Sequence, residues 1–135
     1  MKLSFFHVYY KWFISFERNE VFIVKYSMKI KIGKNEMDFG KGVVLLMEKS
    51  EQYGSLSAAY KEMGMSSSKA WKIIRRAQED LGFCLFETKS GGCHGGSTTL
   101  TPQGKKILKQ YTQFTESVLS FANQQFKLYF KEEEK

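Results

Sequence analysis

The chain has 135 residues, 42% of them apolar, with 21 lysines and arginines against 14 acids for a formal net charge of +7. That length suits one domain with a modest core, leaves no room for a second full-sized ligand-binding domain, and points by charge to an anionic partner such as nucleic acid. Two cysteines, Cys84 and Cys93, form neither a disulfide framework nor a Cys-x-x-Cys pair, so a reducing cytoplasm is expected. No apolar run approaches the roughly 20 residues a bilayer requires, so no membrane association is expected.

Residues 1–27 are rich in aromatics (Phe5, Phe6, Tyr9, Tyr10, Trp12, Phe13, Phe16) without a clean period. Lys2 before Leu3, Phe5 and Phe6 has the outline of a signal peptide, but His7, Lys11 and Glu17 interrupt it and no small-x-small cleavage site follows. Two readings stay open: an extraneous extension before a true start at Met28, or an added strand or helix, with Val21 to Lys25 pairing with Met28 to Ile32. The strict alternation Met28-Lys29-Ile30-Lys31-Ile32-Gly33 predicts a strand.

From Lys41 to Gln52, Val43, Val44, Leu46 and Met47 fall at helical spacing, with Gly54 as the stop. Ser55 caps a second, short helix carrying Leu56, Ala59, Tyr60 and Met63, which ends at the turn glycine Gly64. Ser66 caps a third helix that runs to about Leu81 and stops at Gly82. Its core stripe is Ala70, Ile73, Ile74, Ala77 and Leu81. Ser68, Lys72, Arg75 and Glu79 lie opposite, with Lys69 and Arg76 at the margin. Between Ser66 and Arg76 there are four cations and no acid. Trp71, about 100° round from the stripe, is expected to pack against the wing or the last helix.

Phe83 to Thr88 then reads as a strand, Gly91 to Gly96 as a glycine-rich tip, and Ser97 to Leu100 as the return strand of a hairpin. Thr101-Pro102 gives an N-cap followed by proline at the first helical position. The final helix carries Ile107, Tyr111, Phe114, Val118, Phe121, Gln125 and Leu128 at alternating steps of four and three, the spacing of a helix that packs lengthwise on another helix. Residues 131–135 form a charged tail, and residues 28–130 the domain.

A short helix, a glycine turn, a basic helix and a hairpin follow each other in the order of a winged helix-turn-helix. The fold class expected is therefore α+β, a winged helix-turn-helix with a long C-terminal dimerisation helix. The third helix would offer Ser66, Ser67, Ser68 and Lys69 in its first turn, and Lys72, Arg75 and Arg76 along its outward face, to the major groove and its phosphates. Lys89, Gly91, Gly92, Gly95, Gly96 and Thr98 of the hairpin would meet phosphate or the minor groove. Ile107, Tyr111, Phe114, Val118, Phe121 and Leu128 would form the dimer interface. The tip has no Gly-Lys-Ser/Thr ending, which excludes a nucleotide phosphate cradle. Cys93-His94 supplies only two of the four ligands a structural zinc site wants, so no metal and no cofactor are expected. With no nucleophile elbow and no paired-carboxylate setting, an enzyme is not expected either.

Five motifs carry a family resemblance: Phe39-Gly40-Lys41-Gly42, Gly54-Ser55-Leu56-Ser57-Ala58-Ala59, Gly64-Met65-Ser66, Lys69-Ala70-Trp71, and the run from Gly91 to Leu100-Thr101-Pro102-Gln103-Gly104. On these, residues 38–118 resemble the N-terminal DNA-binding domain of the molybdate-responsive ModE regulators, whose winged helix is related to that of LysR-type regulators. The resemblance implies a dimeric transcription regulator on a palindromic operator, with the last helix and its N-terminal partner at the dimer contact. A strand at Met28 to Ile32 fits the family's start. Cys93-His94 departs from a wing that is usually nearly all glycine, and the family's C-terminal molybdate-binding domains have no counterpart in these 135 residues. Fold and DNA binding are expected to carry over; molybdate sensing and a small-molecule effector are not. The rival readings are a winged helix kept for protein contacts alone, and a metal- or redox-responsive protein centred on Cys93-His94.

Overall fold

Helices form in this chain where apolar spacing and a capping residue coincide. In the computed structural model, which describes residues 24–89 and 97–131, they are α1 (Lys41–Tyr53), α2 (Leu56–Glu62), α3 (Ser67–Leu81) and α4 (Pro102–Tyr129), with strands β1 (Phe86–Lys89) and β2 (Ser97–Leu100) between the last two. The expected α+β winged helix-turn-helix with a long C-terminal helix is the architecture observed. The described residues divide into two units, Lys29–Gln110 and a second made of residues 24–28 together with 111–131.

In the first unit, α1 packs on α2, α3 and β2, and α2 on α3. Phe39, Val43, Val44, Leu46 and Met47 meet Leu56, Ala59, Ala70, Ile74 and Ala77 in the core, all of them buried. Ala59, Ala70 and Ala77 are small at the places where the three helices converge, so the backbones approach closely. Ile73, expected in the stripe, sits half-buried at its edge.

The turn of the helix-turn-helix is set by backbone chemistry. The Gly64 N–H donates to the Lys61 carbonyl (3.0 Å), the Met65 N–H to that of Tyr60 (2.8 Å), and Gly64 takes φ +65°. Nothing lies within 4 Å of a Cβ placed there, so the demand for glycine comes from the left-handed backbone and not from lack of space. Three caps fall where the sequence puts them. The Ser55 hydroxyl accepts from the Ala58 N–H (3.0 Å), Ser66 from Lys69 (3.2 Å), and Thr101 from Gly104 (2.9 Å), each such cap contributing about 1 kcal/mol.

β1 and β2 pair antiparallel, Phe86 opposite Leu100 through Lys89 opposite Ser97, and the Thr88 and Thr98 hydroxyls meet across the ladder at 3.3 Å. Two strand expectations are corrected. β1 begins at Phe86 and not at Phe83: the ladder to β2 starts at Phe86 opposite Leu100, and just before it the Leu85 N–H goes to the Gln78 side chain of α3. Met28 to Gly33 does not form a strand among the described residues, where its pairing is a single bridge between Ile32 and Phe39. There the chain turns back over residues 33–38, and that turn is held by α3.

In the second unit, Tyr26 lies against Phe126 (centroids 4.8 Å apart) and Phe126 stacks on Phe130 (4.8 Å), while the Tyr26 hydroxyl donates to the Asn123 carbonyl oxygen Oδ1. Tyr26, within the residues 1–27 read as an extension, is thus in contact with the C-terminal part of α4.

Candidate nucleic-acid interface

Helix α3 has three kinds of surface, which follow from its 3.6-residue turn. One stripe is core. The outward face carries Ser67, Ser68, Lys69, Lys72, Arg75 and Arg76, all exposed, with Ser66 exposed at the cap. Among the described residues none of these four cations is in an ion pair; the salt bridge observed, Lys49 to Glu62 (2.8 Å), joins α1 to α2. Such a face leaves four cationic donors free for phosphate or base edges.

The flanks of α3 are bound to its neighbours. On one flank the Gln78 Oε1 accepts from the N–H groups of Leu85 (2.8 Å) and Phe86 (3.3 Å). Two turns earlier on the same flank, the Trp71 ring meets Phe86 edge-on (6.4 Å, 68°). Of the two packing partners expected for Trp71, the wing or the last helix, the observed ring contact is with the wing strand β1. On the other flank, Asp80 accepts from the N–H groups of Asn35 (2.8 Å) and Glu36 (3.0 Å) through Oδ1 and of Lys34 (3.1 Å) through Oδ2. An acid in the last turn of a helix opposes the helix dipole; these amides compensate it. The backbone N–H groups of Glu36 and Asn35, the largest contributors, hold the Asp80 carboxyl below its ordinary range.

At the N-terminal end of α3 the Tyr60 phenol is lowered from its usual value by hydrogen bonds from the hydroxyls of Ser57 and then Ser67. Glu62, at the end of α2, is lowered by hydrogen bonds from Lys49 and then Tyr53. The root of the hairpin is fixed to α4 by Thr101, whose N–H donates to the Leu85 carbonyl (3.0 Å) and whose hydroxyl donates to that of Cys84 (2.6 Å).

Of the hairpin residues singled out by sequence, Lys89 is exposed at the end of β1 and Thr98 is half-buried on β2. Gly91, Gly92, Gly95, Gly96, Cys93 and His94 lie outside the described residues, as do His7 and residues 132–135 of the tail. On α4, Phe114 (51%), Phe121 (63%) and Leu128 (73%) are exposed at intervals of seven residues, whereas Tyr111 is buried and Ile107 and Val118 are half-buried. Sequence reasoning missed Gln78, Asp80 and Tyr60. The one available signal was Asp80, an acid misplaced for its helix dipole.

The helix-turn-helix, its exposed cationic helix and the two-stranded hairpin beside it define the winged helix class of regulatory domain. Residues 46–105 match the family model of the bacterial regulatory helix-turn-helix protein, lysR family. The chain is 31% identical over 80 residues to the molybdenum transport protein ModE of Herbaspirillum seropedicae, 59% of this chain and 30% of that protein. It is also 34% identical over 68 residues to the molybdenum-pterin-binding protein MopB of Rhodobacter capsulatus, 50% of this chain and 25% of that one. The chain thus matches less than a third of the length of either relative. Within the winged helix class, its helix-turn-helix stretch is similar to a LysR-type domain and to part of these two molybdenum-related proteins.

Proposed function

We propose that this protein is a sequence-specific DNA-binding transcription regulator that acts as a homodimer on a palindromic operator, and is not an enzyme. The observation that carries the proposal is the outward face of α3. Lys69, Lys72, Arg75 and Arg76 are exposed and without ion pairs among the described residues, on a helix capped by Ser66 and held on both flanks. Ser66, Ser67, Ser68 and these cations read the major groove and its phosphates, with Lys89 and Thr98 at the hairpin. The exposed spacing of Phe114, Phe121 and Leu128 supports a second copy as the cover for α4. A two-fold dimer sets its two α3 helices about one DNA turn apart. Among the described residues no helix is long and apolar enough to cross a membrane.

The test is to select bound fragments from the host genome and measure affinity for them across a salt series. Lys72→Ala or Arg75→Ala should cost about 1–3 kcal/mol at one base position if the contact is to a base, or weaken all sequences alike and flatten the salt slope if it is to phosphate. Unchanged binding in both folded variants removes α3 from the interface. A protein with no salt-sensitive DNA affinity is instead a protein-interaction module.

A further inference from the structure

Gln78 is the residue of α3 whose side chain hydrogen-bonds the start of β1, and we infer that it is a positioning residue for DNA binding: beside the Trp71 contact and the Thr101 anchor it sets the direction of β1 against α3, and Lys89 reaches the duplex only while the bonds from Gln78 hold. The inference rests on the DNA-binding reading above. Gln78 bonds at two levels. Its backbone carbonyl accepts from the Gly82 N–H (2.8 Å), closing α3, and its side-chain Oε1 accepts from the N–H groups of Leu85 (2.8 Å) and Phe86 (3.3 Å), where β1 begins. An amide oxygen has two lone pairs, and both are engaged. Leu85 is fully buried, so its N–H has no water to turn to if Gln78 is lost.

Two strands of four residues are too small a ribbon to hold their own direction in water. Their direction is therefore inherited from the root. Trp71 supports the same root from the same flank of α3, through Phe86. Phe86 and Lys89 are three residues apart, about 10 Å along an extended strand. A tilt of about 20° at the root carries Lys89 some 3 Å or more sideways, beyond the reach of a hydrogen bond to phosphate.

The experiment measures the slope of log affinity against log salt on a random-sequence DNA duplex of about 30 base pairs, three helical turns. The proteins are the wild type, Lys89→Ala, Gln78→Met, Gln78→Glu, and each Gln78 variant combined with Lys89→Ala. In the wild type, Lys89→Ala should lower the slope by about 0.9, the loss of one phosphate contact. Gln78→Met should lower it by at least as much, and Lys89→Ala should then add nothing. Gln78→Glu, which keeps an acceptor for both amides, should restore the dependence on Lys89. A role in stability alone would lower the melting temperature of Gln78→Met yet leave the effect of Lys89→Ala intact, and that result overturns the inference. So does a Gln78→Glu protein in which Lys89 has become irrelevant, or a wild type that binds DNA without using Lys89. Should Gln78→Met not fold, Trp71→Leu is read in its place and the Gln78→Glu comparison still decides. A wild type with no salt-dependent binding overturns the underlying DNA reading instead.

Discussion

Gly104→Ala sets helix propensity against packing. Gly104 lies in the first turn of α4, where alanine should gain up to about 1 kcal/mol over glycine. The structure reverses the sign. A Cβ at Gly104 would lie 2.4 Å from the Leu85 carbonyl oxygen, 3.2 Å from its carbon and 3.1 Å from the Thr101 hydroxyl. Two of these atoms are backbone and cannot rotate away. To make room, α4 must lift from the hairpin root, an overpacking that costs about 1–3 kcal/mol. The same movement loosens the bond from the Thr101 N–H to Leu85 and that from the Thr101 hydroxyl to Cys84, at about 1 kcal/mol each. After subtracting the propensity gain, the net destabilisation is about 2–4 kcal/mol, or about 10 °C in the melting midpoint of a domain this size. Calorimetric or circular-dichroism melting measures it. Gly42→Ala in α1 is the control: nothing lies within 4 Å of its Cβ, so propensity acts alone and the midpoint should hold or rise slightly. A Gly104→Ala protein that melts at or above the wild type refutes the packing argument.

Replacing Phe114 and Phe121 by Glu should give a monomer or an aggregate by sedimentation and lower operator affinity; a wild type already monomeric at micromolar concentration refutes the dimer. Asp80 and Glu62 both titrate below their ordinary values in the folded chain. Their contribution to stability is therefore present above the unfolded carboxyl range, about pH 4, and is lost as pH falls through the depressed values. Asp80→Asn should flatten the fall of the melting midpoint below about pH 4, and an unchanged acid limb counts against the Asp80 clamp. The cations of α3 are spread along an exposed face and converge on no oxyanion site, so calorimetric titration with molybdate or tungstate should show no binding that alters DNA affinity. Micromolar binding with a shifted operator affinity overturns that expectation.

The sequence by itself determined the helices, their caps and the order of the winged helix, because each of those signals is local. Ser55, Ser66 and Thr101 cap amides only three residues away, Gly64 answers to its own φ, and the stripe of Ala70, Ile74, Ala77 and Leu81 repeats with the helix turn. The cationic face of α3 was legible for the same reason. Only the tertiary structure decided how that face is held. Gln78 reaches amides seven and eight residues on, and Asp80 reaches amides 44 to 46 residues back. A backbone N–H carries no residue identity, so nothing in the sequence marks it as the partner of a distant side chain. The alternation at Met28 to Gly33 misled for the complementary reason: it records which side chains face inward, while a strand also needs a neighbour along its length, and beyond Ile32 opposite Phe39 this fold supplies none among the described residues. The seven-residue spacing along α4 marked one continuous stripe, but the packing divides it, covering Tyr111 and leaving Phe114, Phe121 and Leu128 open, because periodicity fixes the face of a helix and only the neighbours fix how much of that face is covered.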